Sequence, residues 1–165
     1  MPTKFTVRIE NITKPDAFTA STGVKWSLGF SPGVVVVHND KGPIFTAGKM
    51  DRGQGLEAQS EDGDPGMLAK SLEGGRGIKS VAVFNTPVGA GDPGPITPGA
   101  AYEFTVSSMP GDRLSLTTMM GQSNDWFYAP AESGIALFKN GKPTSARLGG
   151  SIEPIVGLAH HRRQG

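Results

Sequence analysis

The stretch 115–130, SLTTMMGQSNDWFYAP, constrains this chain more tightly than any other. Leu114, Leu116 and Thr118 alternate with Ser115, Thr117 and Met119, the period of two expected of a strand with one buried face. Gly121 breaks the pattern. Beyond it stand Trp126, Phe127 and Tyr128, and burying a large apolar side chain is worth about 1.5–3 kcal/mol. The loop carrying these rings is expected to fold back onto the domain edge, holding Asp125 near the surface.

The same alternation recurs. Phe5, Val7 and Ile9 alternate with polar residues, as do Tyr102, Phe104 and Val106, and 78–85 follows suit. Ile135 and Leu137 suggest another strand, and Asn140-Gly141 the tight hairpin turn that ends it. Val34 to Val37 is an unbroken β-branched run, the mark of a central strand covered on both faces. Loop 86–99 holds Pro87, Pro93, Pro95 and Pro98, too many rings for a strand. One convincing helix begins at Asp64 as cap with Pro65 in its first position, and a shorter helical turn covers 56–59. Gly 24 and Pro 13 in 165 residues exceed the usual combined share of about 12%, as many turns between short strands require. The expectation is an all-β fold, an antiparallel β-sandwich of about eight strands with one short helix in a connection.

Charge and composition exclude several functions. With 16 basic and 15 acidic residues the net charge is +1, so no strong field draws the chain to nucleic acid or an anionic membrane. The absence of cysteine removes disulfides, thiolate zinc sites and cysteine nucleophiles together. No apolar run approaches the roughly 20 residues of a membrane span. Met1-Pro2-Thr3-Lys4 lacks the apolar core of a secretory signal, so either the protein stays inside the cell or a leader is missing from this sequence.

Several motifs tempt and fail. Gly29-Phe30-Ser31-Pro32-Gly33 matches the nucleophile elbow of serine hydrolases, but Pro32 has no N–H for the oxyanion hole. Gly89 to Gly94 matches a dinucleotide fingerprint, but Pro93, Pro95 and Pro98 forbid the helix that would hold a pyrophosphate. Asn11-Ile12-Thr13 fits a glycosylation triplet, a pattern common by chance. His38 closes a strand with no second histidine near it, which suits a hydrogen-bonded structural residue. His160-His161-Arg162-Arg163 reads as a solvated basic tail.

Asp125 has two readings. Its carboxylate bonds backbone amides of the turn Ser123-Asn124-Asp125, or it is a cation ligand where loops from several strands converge.

The segment SLTTMMGQSNDWFYAP resembles the part of the spondin N-terminal domain family that reads as a serine-rich strand, then Met, then Pro-Ser-Pro-Asp-Trp-Phe. Phe30-Ser31-Pro32, His38, Pro43-Ile44-Phe45-Thr46-Ala47-Gly48, Gly55-Leu56-Glu57 and Glu61-Asp62-Gly63-Asp64 are similar to its upstream blocks, in the same order. So are Phe84 to Gly89 and Tyr102 to Val106, which match small bacterial members in particular. The resemblance spans residues 5 to about 141 and implies a variant of the calcium- and lipid-binding sandwich of C-two domains. It also implies a secreted, periplasmic or cell-surface location and a calcium site that includes Asp125.

After Gly141 the likeness stops. The family's Asp-Ala-Gly-Thr-Asp or Asp-Ala-Gly-Thr-Glu loop, which would complete the calcium site, has no counterpart, and no Asp follows Asp125. A divergent ending, a junction with unrelated sequence and a shifted reading frame near residue 145 are the competing explanations; the abruptness of the break favours the shifted frame or another aberrant ending. The expected division is therefore a sandwich domain over 1–144 and an atypical segment over 145–165.

The functional expectation is a non-enzymatic extracytoplasmic binding or adhesion module, its partner an envelope or extracellular protein or glycan. Its site would lie around Asp125, with Trp126, Phe127 and Tyr128 as packing or contact residues, and with weak or absent calcium binding. The alternatives are a hydrolase of an envelope glycan, which needs Glu57, Glu61 or Asp125 beside a second carboxylate, and a structural subunit of a surface assembly.

Overall fold

Val34, Val35, Val36 and Val37 are 0 to 3% exposed, so the unbroken β-branched run lies at the centre of the molecule. The computed structural model describes residues 1–123 and 126–145, together with the backbone of 154–156. Asp125 and the tail His160-His161-Arg162-Arg163 lie outside the described residues, as does most of the segment 145–165.

In chain order the strands are β1 (Thr3–Glu10), β2 (Phe18–Thr19), β3 (Lys25–Trp26), β4 (Phe30–His38), β5 (Ile78–Phe84), β6 (Ala101–Ser108), β7 (Arg113–Met120), β8 (Trp126–Tyr128), β9 (Ile135–Ala136), β10 (Phe138–Lys139), β11 (Lys142–Pro143) and β12 (Pro154–Val156). Helices α1 (Leu56–Asp62) and α2 (Gly66–Leu72) fall between β4 and β5. The main sheet runs β12-β8-β7-β4-β5, with β9 pairing β7 beyond the end of β8. A second, two-stranded sheet pairs β1 with β6 antiparallel over eight residues, from Thr3 opposite Ser108 to Glu10 opposite Ala101. Asn140 and Gly141 both have positive φ, 51° and 73°, and close the β10–β11 hairpin as expected.

The β1–β6 ribbon covers one face of the main sheet. Val35, Val37, Leu114 and Leu116 pack there against Tyr102 and Val106, with Phe5, Val7 and Ile9 behind them. Helices α1 and α2 cover the other face, where Val34 and Val36 meet Leu56, Leu68, Leu72 and Phe127. The fold is all-β and sandwich-like, with a thin helical layer on its outer side. The expected turn at 56–59 is a full helix reaching Asp62, so two short helices occupy the connection. Pro65, rather than Asp64, is the N-cap of α2, and the Asp64 carboxylate accepts the Gly66 N–H at 2.9 Å just outside it.

Two expectations about the organising stretch need correction. β7 is buried on both faces: Ser115 and Thr117 are 4% and 0% exposed because they face the helical layer, and hydrogen bonds replace water there. The Thr117 hydroxyl donates to Gln59 Oε1 at 2.6 Å, and Gln59 Nε2 returns a bond to the Thr117 carbonyl at 2.9 Å, fastening α1 to the sheet. The aromatic triplet forms a strand and not a loop, since Met119 pairs with Phe127 and Thr118 with Tyr128. Phe127 is fully buried beside Phe45, ring centroids 5.6 Å apart. Tyr128 points to the opposite face and meets Phe30 edge-on at 5.0 Å.

Candidate functional site

The polar groups that chemistry could use are mostly built into the framework. His38 is wholly buried at the end of β4. The Nδ1 position lies 2.9 Å from the Asp40 carbonyl and Nε2 lies 2.7 Å from Ser115 Oγ. A carbonyl only accepts, so Nδ1 carries the proton and the serine hydroxyl donates to Nε2. This serine–imidazole pair resembles half of a hydrolytic triad, yet both members are buried in the wall between sheet and helices.

Burial lowers the His38 pKa below its ordinary 6.5, and the Arg113 guanidinium adds to this; the Asp40 carbonyl, the Asp40 carboxylate and Asp112 oppose it. The unfolded chain therefore binds the extra proton first as pH falls. Stability should be level above about pH 6.5 and decline below it by at most about 1.4 kcal/mol per pH unit, until the folded imidazole itself titrates. Urea unfolding at about pH 7.5 and 5.5 reads this, and His38→Gln should lose less stability than the native chain between them.

Ser31, in the elbow-like motif, is equally committed. Its hydroxyl donates to the Pro32 carbonyl at 2.7 Å and accepts the Met119 N–H at 2.9 Å. Pro32 sits where the β4–β7 register shifts between Phe30 and Gly33, a bulge that tolerates its missing donor. Asn11 of the glycosylation triplet is fully buried and gives both amide hydrogens to the carbonyls of Leu28 and Ile96, at 2.8 and 3.1 Å. The side chain that a glycan would need is thus an internal clamp between three segments. Burial also raises the Tyr102 pKa, and its hydroxyl donates to the Gly94 carbonyl at 2.7 Å.

A different arrangement lies at the end of the sheet where β6 turns into β7. Here an open pocket of about 340 Å³ is lined by Asn39, Lys79, Ser108, Met109 and Asp112, among others. The turn is closed twice: Asp112 N–H donates to the Met109 carbonyl at 3.0 Å, and Asp112 Oδ2 accepts the Met109 N–H at 2.9 Å. Asn39 N–H donates to the Gly77 carbonyl at 2.9 Å, drawing the end of β4 to the start of β5. Val37 pairs with Ser80 and His38 with Ile78, so Lys79 is the extra residue of a β-bulge. The Ser108 hydroxyl is sealed from solvent in a residue 2% exposed and has no hydrogen-bond partner among the described residues.

Phe30, at the start of β4, pairs with Met120, whereas His38, at its end, pairs with Arg113. The pocket therefore sits at the opposite end of β7 from the turn leading to Asp125. Trp126 and Tyr128 are half-buried and Phe127 is wholly buried, so Phe127 is a packing residue. Glu57 is exposed on α1, on the helical layer and not in the pocket. Nothing in the sequence announced the pocket, which draws on four separate segments; the only local sign was the turn Pro110-Gly111-Asp112.

No protein-family model matches the chain, and no curated protein matches it. Among the described residues, no group of three or more His, Asp or Glu side chains is gathered as a metal ion would require. No helix among them is long and apolar enough to cross a membrane.

Proposed function

We propose that this chain is a non-enzymatic binding or adhesion module of spondin type that works outside the cytoplasm on an envelope or extracellular partner. The observation that carries the reading is the pocket at the β6–β7 turn. It joins a cation and a carboxylate, while the buried Ser115–His38 pair is occupied within the wall. Such a set can hold a ligand through several hydrogen bonds. Asp112 is the one carboxylate among its lining residues, where a glycoside hydrolase uses two.

The resemblance to the spondin family supports the extracytoplasmic setting by analogy of sequence. Co-sedimentation of the purified chain with isolated cell envelopes tests the reading. The chain is expected to pellet with the envelope polymer and to release no new reducing ends. Catalytic release of reducing ends would replace this reading with that of a hydrolase.

Calcium has no place in this proposal. The ion takes six to eight oxygens, and after Asp125 the sequence offers no further aspartate and only Glu132 and Glu153 as acids. Glu132 Oε2 already accepts the Ala47 N–H at 3.3 Å. Calcium binding at Asp125 is therefore expected to be weak or absent. Calorimetry is expected to give a Kd weaker than about 1 μM, and tighter binding would contradict that.

A further inference from the structure

We propose that the pocket at the β6–β7 turn takes one sugar unit of a surface glycan, with Lys79 as its donor and Asp112 as its acceptor. This rests on the binding-module reading and names the ligand class for the same site.

Two features of the pocket point to a neutral, hydroxyl-rich ligand. The first is charge. Lys79 and Asp112 balance, so an anion drawn to the ammonium also meets a carboxylate, and a cation drawn to the carboxylate meets the ammonium. A sugar hydroxyl can accept from one and donate to the other.

The second is the bulge. An extra residue in a strand re-aims its side chain and interrupts regular pairing, and here that residue is Lys79, which lines the pocket. Among the described residues its ammonium has no ion-pair partner, so the charge is free for a ligand. Met109, 47% exposed, and Pro110 add an apolar wall against which the C–H face of a pyranose ring can lie. At about 340 Å³ the space is at the small end for ligand pockets, as one sugar ring requires.

Titration of the isotope-labelled full chain with glucose, galactose and N-acetylglucosamine, followed by amide shifts, tests this. Sodium phosphate, acetate and glycine betaine serve as anionic and zwitterionic probes. At least one sugar should move the amides of Asn39, Lys79 and Ser108, with a Kd of about 1 mM as weak single-ring binding implies. Lys79→Met should weaken it about tenfold or more, because a charged donor is lost. Lys79 is exposed, so its variant should keep the native melting temperature and serves as the control for folding. Larger shifts with phosphate, acetate or betaine than with any sugar would overturn the assignment, as would no response to any sugar. If Lys79→Met still pellets fully with envelopes, the pocket assignment fails while the module reading stands.

Discussion

Phe127→Ala is expected to destabilise the domain by about 3–5 kcal/mol, the range for emptying a buried aromatic site. Phe127 is fully buried between sheet and helical layer, its ring in edge contact with Phe45 and surrounded by Val34, Val36, Leu56, Leu68 and Ala129. The helices are short, seven residues each, and cannot close over the gap without leaving their own anchors. A domain of this size typically has only about 5–15 kcal/mol in hand, and each kcal/mol moves the melting temperature by about 2–4 °C. Thermal unfolding should therefore shift down by roughly 6–20 °C. Trp126→Ala, on the adjacent half-buried position, should cost less. Equal losses at the two positions would mean that Phe127 is not the wedge between the layers.

Gly33→Ala is expected to be as damaging for the opposite reason, since it adds an atom where none fits. A Cβ at this position would overlap the Thr117 carbonyl and come within 2.5 Å of the Phe84 ring. The strands β4 and β7 are paired on one side of Gly33 and β4 and β5 on the other, so neither neighbour can retreat without breaking its ladder. Overpacking of this kind costs typically about 1–3 kcal/mol and sometimes more, and the backbone contact puts Gly33→Ala at the upper end. Gly89→Ala meets nothing within 4 Å but has φ 81°, so it should cost only the strain of a left-handed backbone. Urea midpoints at unchanged m-value separate the two.

The strands were legible because a half-buried strand writes its geometry into every second residue. Phe5, Val7 and Ile9 face the main sheet as their alternation said, and Val34 to Val37 is covered on both sides as an unbroken run demands. β7 misled for a physical reason. Ser115 and Thr117 look solvent-facing in any polarity pattern, but His38 and Gln59 supply the hydrogen bonds that make burying them acceptable. Those partners are 77 and 58 residues away. A three-residue strand such as β8 is too short to show a period, so the aromatic triplet read as a loop. Ile96 is wholly buried from within a proline-rich loop, where it bridges to Phe30, and nothing in its immediate sequence marks it as core.

The site was less legible than the fold. A binding pocket made from the start of the chain, the end of β4, a bulge in β5 and the β6–β7 turn has no linear spacing to detect. The bulge at Lys79 exists only once β4 and β5 are in register. Sequence reasoning instead chose Asp125, which falls between β7 and β8 in sequence and outside the described residues.

The amide-shift footprint of envelope-derived glycan fragments on the labelled chain therefore tests the account most directly. It predicts changes at Asn39, Lys79 and residues 107–112, with residues 121–128 quiet. A footprint centred on 121–128, with the β6–β7 turn unmoved, would contradict it.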